Sequence, residues 1–165
     1  MLFRSCFPAA QTIPTGPVTI KLFAMGVTDL SGAYLKVQYN KSKLLYNQTI
    51  KGEFFADAQE PIFFYEHNST EGTITVTTSF LGSDSVAVDG TGSLAEFQFT
   101  ATSVGTSTLS IVRDSTGFTA SDSSVSELVG PNDLPIEILG YTDGVIIAQD
   151  RKSTRLNSSH PLTSY

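Results

Sequence analysis

The chain has 165 residues and 17.7 kDa, the length of one domain, and its 40% hydrophobic content with eleven Phe is enough for one sizeable core. Ten Lys and Arg against sixteen Asp and Glu leave a net charge of −6, which argues against a nucleic-acid binder, since that function needs a basic face for phosphates. A lone Cys6 excludes an internal disulfide and a cysteine-based metal site, and no apolar run approaches the roughly 18 residues of a membrane helix.

In chain order the periodicity is that of strands. Met1 to Phe7 carries one positive charge but no apolar region of signal-peptide length, and Phe3 to Ile13 shows no alternation. Residues 1–17 are therefore expected to hold a truncated or displaced opening strand. Val18, Ile20 and Leu22 alternate with Thr19 and Lys21, and Leu35, Val37 and Tyr39 alternate with Lys36 and Gln38. A period of two fits a strand with one face buried. Ile62 to Tyr65 is a dense aromatic run that ends in the turn-forming Asn68 to Gly72. Ile74 and Val76 alternate with Thr73, Thr75 and Thr77, and Phe97 and Phe99 with Glu96 and Gln98. Leu109 and Ile111, then Val145 and Ile147, close the pattern.

Gly-, Asp- and Ser-rich breakers separate these runs: Thr28 to Gly32, Gly82 to Ser85, Asp89 to Gly92, Asp114 to Gly117 and Asp143-Gly144. The segment Ala120 to Pro135 is polar and acidic and reads as a long surface loop. No helical period of ten residues or more is present. The expected fold is all-β, a two-sheet β-sandwich of about eight or nine strands.

Candidate chemistry is sparse. His67 has no second His or Cys at metal-site spacing and reads as a solvated turn histidine. Asp84 with Asp89, and Asp114 with Asp122, are loop oxygens without the spacing of a calcium loop. Glu60 and Glu66 do not define a glycosidase pair, and no serine sits in a G-x-S-x-G elbow. Asn47-Gln48-Thr49 and Asn68-Ser69-Thr70 match the glycosylation sequon. Phe54-Phe55 and Phe63-Phe64-Tyr65 could stack on sugar rings, although Phe in alternating strands more often fills a core.

The order of motifs is more specific. Val27-Thr28-Asp29-Leu30-Ser31-Gly32, followed by a strand ending Tyr39-Asn40 and then Leu44, resembles the opening "V-x-D-L-x-G … Y-D-P-x-x-L" of cohesin domains. Gly90 to Phe99 is similar to the family's "G-x-G-x-L-A-x-I-x-F", and Gly105 to Leu109 to its "G-x-T-x-L". Arg113-Asp114 with Gly117 resembles "x-D-x-x-G", and Asp143 to Ile147 the closing "x-G-x-I-x-V". Asn40-Lys41 stands where the family has Asp-Pro. Gly32 is expected to relieve a sharp corner, and Gly90 and Gly92 to allow positive φ before a central strand. Tyr39 is expected to bury its ring and reach an edge or loop with its hydroxyl.

The resemblance implies a jelly-roll sandwich over residues 18–149 that is not an enzyme and binds a dockerin-like domain through one sheet face. It implies an extracellular or cell-surface setting, and calcium carried by the dockerin partner, with no cofactor on this chain. Tyr34, Lys36 and Gln38 are the outward positions of the strand ending in Tyr39, and Thr75, Thr77 and Ser79 are candidates on its neighbour. The family's polar Asn and Asp align near Gly32 and Tyr34 and are missing here. Two other classes stay open: a carbohydrate-binding module of polysaccharide degradation, and a structural spacer of a surface protein. Asp150 to His160 resembles a translated sequencing adapter, so residues 150–165 are expected to be a non-native tail. That tail holds three basic residues and one acidic, so the remainder is more acidic still.

Overall fold

The computed structural model describes residues 4–6, 10–81, 87–113 and 126–151. Thirteen strands form among them: β1 (Arg4–Cys6), β2 (Gln11–Pro14), β3 (Gly16–Leu30), β4 (Gly32–Tyr39), β5 (Leu44–Lys51), β6 (Pro61–Asn68), β7 (Thr73–Phe80), β8 (Val88–Ala101), β9 (Gly105–Ile111), β10 (Glu127–Val129), β11 (Pro135–Ile136), β12 (Gly140–Thr142) and β13 (Gly144–Gln149). Nine of them have four residues or more, and the remaining four are short bridges at sheet margins. The expected count is thus the count of long strands. The bridges fall below what an alternating pattern can signal.

The strands make two sheets. The smaller runs β12-β1-β3-β8-β5, and the larger runs β11-β10-β4-β9-β13-β2, with β7 also paired to β4 and β6 to β7. This is the all-β two-sheet sandwich that the alternation predicted, with the jelly-roll arrangement that the resemblance implied. Each sheet turns its apolar rows inward. Ile20, Leu22, Phe97 and Phe99 from the small sheet meet Leu35, Val37, Ile74, Val76, Leu109 and Ile146 from the large one, all at most 1% exposed. Packing two such faces together removes the whole inner surface from water, the main stabilising term of a sandwich.

The chain crosses between sheets at the Val27–Gly32 motif. Asp29 takes the left-handed conformation (φ 58°), and its backbone N–H donates to Asp89 Oδ1 at 2.7 Å. Leu30 then plugs the gap, fully buried. The corner therefore rests on Asp29, a residue type that tolerates this conformation, and not on Gly32, whose φ is ordinary. Gly90 has the expected positive φ (127°), but Gly92 does not. A side chain at Gly92 would press on Phe54, so close packing explains that glycine.

One further expectation changes. Of the expected loop Ala120 to Pro135, residues 120–125 lie outside the described residues, and the remainder is not plain loop: β10 lies against β4, and Leu128 is fully buried. Its acidic and polar neighbours hide a signal of only two apolar residues, Leu128 and Val129. At the N-terminus β2 pairs parallel with the closing β13, while β1 pairs antiparallel with β3. Asp84, Asp114 and Asp122, the turns Gly82–Ser85 and Asp114–Gly117, and residues 152–165 lie outside the described residues.

Candidate partner-binding face

Antiparallel register turns the outer face of the large sheet into a grid. Residues directly opposite each other share a face, so Cα partners across β10, β4, β7 and β6 define rows. The first row is Val129, Gly32, Ser79 and Ile62, and the second is Glu127, Tyr34, Thr77 and Phe64. The third is Lys36, Thr75 and Glu66. The fourth is Ser110 of β9, then Gln38, Thr73 and Asn68.

The structure therefore brings all six predicted positions together. Tyr34, Lys36 and Gln38 point away from the core, because Leu35, Val37 and Tyr39 between them are buried. Thr75, Thr77 and Ser79 stand beside them on β7. Phe64, expected only among possible sugar-stacking rings and not on the partner face, is 67% exposed at the end of the Tyr34 row. In a run of three consecutive aromatics every position is apolar, so alternation cannot tell which ring faces out. Only the pairing of Phe64 with Thr77 decides it. Val129 was missed because it lies in the segment read as loop.

Two shallow hollows flank Tyr34. One, of about 200 Å³, lies over Gly32 between Tyr34, Ser79 and Val129. The other, of about 230 Å³, lies between Tyr34, Phe64, Glu66 and Thr75. Ser79 Oγ already donates to the Ser31 carbonyl at 2.8 Å, which fixes the rim of the first hollow.

Along one edge β4 changes partner midway. β9 pairs with its C-terminal half and β10 with its N-terminal half on the same edge. At the junction Ser126, 2% exposed, fills the gap: Lys36 N–H donates to Ser126 Oγ at 2.9 Å, and that hydroxyl donates to the Lys36 carbonyl at 3.2 Å. Val112 N–H donates to the same carbonyl at 2.7 Å. The strand that carries Tyr34 and Lys36 thus has continuous hydrogen bonding across a change of partner.

His67, on the inner side of β6, is a packed residue and not a solvated turn. Its Nε2 lies 2.8 Å from Tyr39 Oη, and its ring stacks on Tyr46 with centroids 3.9 Å apart. Tyr39 in turn contacts Phe99 at 5.0 Å. Burial lowers the His67 pKa below its ordinary value and raises those of Tyr39 and Tyr46.

The proposed sugar-stacking rings are divided. Phe55 is buried with Phe54 edge-on against it, and Phe63 packs on the core. Phe64 and Tyr65 are exposed but, as neighbours in a strand, point to opposite faces. Among the described residues, no group of three or more His, Cys, Asp or Glu side chains is placed to hold a metal, and no helix is long and apolar enough to cross a membrane.

The sequence profile of the cohesin domain matches residues 9–153. The chain belongs to the cohesin family. Cohesins are non-catalytic protein-interaction modules. The chain resembles a type II cohesin from the cellulosome of Acetivibrio cellulolyticus with a TM-score of 0.73 at 16% identity, covering 88% of this chain and 95% of that one. A non-cellulosomal cohesin from the archaeon Archaeoglobus fulgidus gives 0.68 at 12% identity, covering 97% and 100%. The third ScaC cohesin of A. cellulolyticus, solved in complex with the ScaB dockerin and displaying a type I interaction, gives 0.68 at 14% identity, covering 89% and 99%. No curated protein matches significantly. At these identities the solved structures show a shared cohesin fold over nearly the whole chain.

Proposed function

We propose that this cohesin is a recognition module that takes a calcium-loaded dockerin on the outer face of its large sheet, within a larger extracellular or cell-surface protein. The observation that carries the reading is the row Glu127–Tyr34–Thr77–Phe64, in which the half-buried Tyr34 and the exposed Phe64 stand on a sheet whose other face is occupied by the core. Exposed aromatics held on a firm scaffold are the usual anchors of protein interfaces, since they bury much area and lose little entropy. Tyr34, Lys36, Gln38, Thr75, Thr77 and Ser79 form the proposed contact set, now joined by Phe64. The reading is supported by related cohesins solved as dockerin complexes, including the ScaC–ScaB pair and a type II cohesin–X-dockerin complex from A. cellulolyticus. Any calcium belongs to the partner.

Capture of dockerin-bearing proteins on the immobilised chain, with and without a calcium chelator, tests it. Binding that is lost on chelation, and weakened when Tyr34 and Lys36 are both changed to Ala in a folded variant, is the expected result. Failure to retain any dockerin in calcium removes the proposal.

A further inference from the structure

A sandwich leaves backbone N–H and C=O groups without strand partners at its sheet edges, and natural edges are blunted by shortness, bulges, proline or lysine. Four of the edges among the described residues follow that rule. β12 and β11 have three and two residues, and β2 has four and ends in Pro14. β5 breaks register between Tyr46 and Gln48 and ends in Lys51. The edge strand β6 is different: among the described residues it pairs with β7 alone, and it runs for eight residues without a register shift. It carries no lysine, and its proline, Pro61, stands at the first position. We propose that two copies of this chain pair through β6, edge to edge and antiparallel about a two-fold axis at Phe64, and so join their large sheets into one.

The backbone of β6 is directed for such pairing. Leu81 N–H donates to the Glu60 carbonyl at 3.2 Å, and the β6–β7 register continues from that pair. Bonded and non-bonded pairs alternate in an antiparallel ladder, so Ile62, Phe64, Glu66 and Asn68 direct their backbone groups to β7. Thr78 Oγ1, which donates to the Ile62 carbonyl at 3.3 Å, agrees with that direction. The N–H and C=O groups of Phe63, Tyr65 and His67 therefore point to the free edge. The rings at its centre are open, with Phe64 67% and Tyr65 49% exposed.

Register selects a second copy as the occupant. Opposed residues must share a face of the continuous sheet, and the bonding pairs must come from the free-edge set. An axis at Phe64 meets both conditions. Each Phe64 then faces the other at a non-hydrogen-bonded site, where side chains come closest, while Phe63 exchanges backbone bonds with Tyr65 of the second copy. Phe63 and Tyr65, with centroids 6.2 Å apart on one strand, gather with their counterparts into an aromatic cluster on the inner side of the seam. An axis at Tyr65 would instead set Phe64 against Glu66. With the axis at Phe64, the two Glu66 carboxylates lie four residues apart along the seam, roughly 13 Å and beyond the ~8 Å screening length at physiological salt. That spacing lets a chain of net charge −6 pair with itself. The axis stands perpendicular to the sheet, so both outer faces look the same way and, on the dockerin reading above, two partner faces are presented side by side.

One strand pair buries less than the roughly 1,200 Å² of a stable interface, so the dissociation constant is expected near about 100 µM. Sedimentation equilibrium of the full chain alone, from about 5 to 500 µM, is expected to show a monomer–dimer equilibrium. Phe64→Lys sets two like charges face to face at the axis from an exposed position, and is expected to abolish the dimer without unfolding the chain. In a Cys6→Ser background, mild oxidation of Phe64→Cys is expected to give a disulfide-linked dimer at least about ten-fold faster than Glu66→Cys. The axis brings the first pair of Cα atoms to about 4.5 Å and holds the second roughly 13 Å apart. A monomer at every concentration, a dimer that persists in Phe64→Lys, or equal cross-linking at the two positions overturns the proposal. None of these outcomes bears on the dockerin reading, because no dockerin is present.

Discussion

Tyr39 and His67 meet at 2.8 Å between hydroxyl oxygen and Nε2, and this bond ties the last residue of β4 to the edge strand β6. Because β4 and β6 are not neighbours but flank β7, the pair spans the sheet beneath the proposed contact face. Tyr39→Phe removes the hydroxyl and keeps the ring against Phe99. His67 is only partly buried, so water can replace the lost partner. The expected loss is about 0.5–1.5 kcal/mol of unfolding free energy by urea titration.

Stability should also depend on pH through the same histidine. Burial holds the folded-state pKa of His67 below the ordinary histidine value of 6.5, so the unfolded chain takes up a proton first as pH falls. The contribution is fully present above the unfolded value and is lost as pH drops through the folded one. His67→Phe should flatten the unfolding midpoint between about pH 7 and pH 5 relative to the parent. For Tyr39 and Tyr46, burial raises the pKa above 10.0, so their contribution holds below that value and is lost at still higher pH.

Ser126→Ala leaves the Lys36 N–H without its acceptor at a buried junction. An unsatisfied buried donor costs about 1–3 kcal/mol, so the midpoint of chemical unfolding should fall accordingly. Binding measured at full folding should weaken less than for Tyr34→Ala, because the serine supports the strand without facing the partner.

Leu128→Ala separates a core strand from a surface loop. A fully buried leucine truncated in a tight core costs about 2–5 kcal/mol, whereas a loop residue costs a few tenths. The larger loss, read from urea or thermal unfolding, is expected.

Much of the architecture was legible in single runs of residues. Val18 to Leu22, Leu35 to Tyr39 and Phe97 to Phe99 alternate because each strand has one face in the core, and the same alternation picked out Tyr34, Lys36 and Gln38 as outward. Three things were not legible. Leu128 and Val129 belong to a strand too short for a period to show. The direction of Phe64 depends on pairing with β7, a contact between segments that no local pattern encodes. His67 looks like a turn residue because its partners, Tyr39 and Tyr46, are far off in sequence and come from different sheets. The corner motif was read correctly as a corner, but its strained position is Asp29, stabilised by a carboxylate 60 residues away.

The most direct measurement of the central claim is amide chemical-shift perturbation of the isotopically labelled chain on addition of a calcium-loaded dockerin. Shifts are expected to concentrate at Tyr34, Lys36, Thr75, Thr77 and Phe64, with the outward residues Thr19, Gln98 and Gln48 of the small sheet unmoved. Shifts centred on β3, β8 and β5 instead would contradict it.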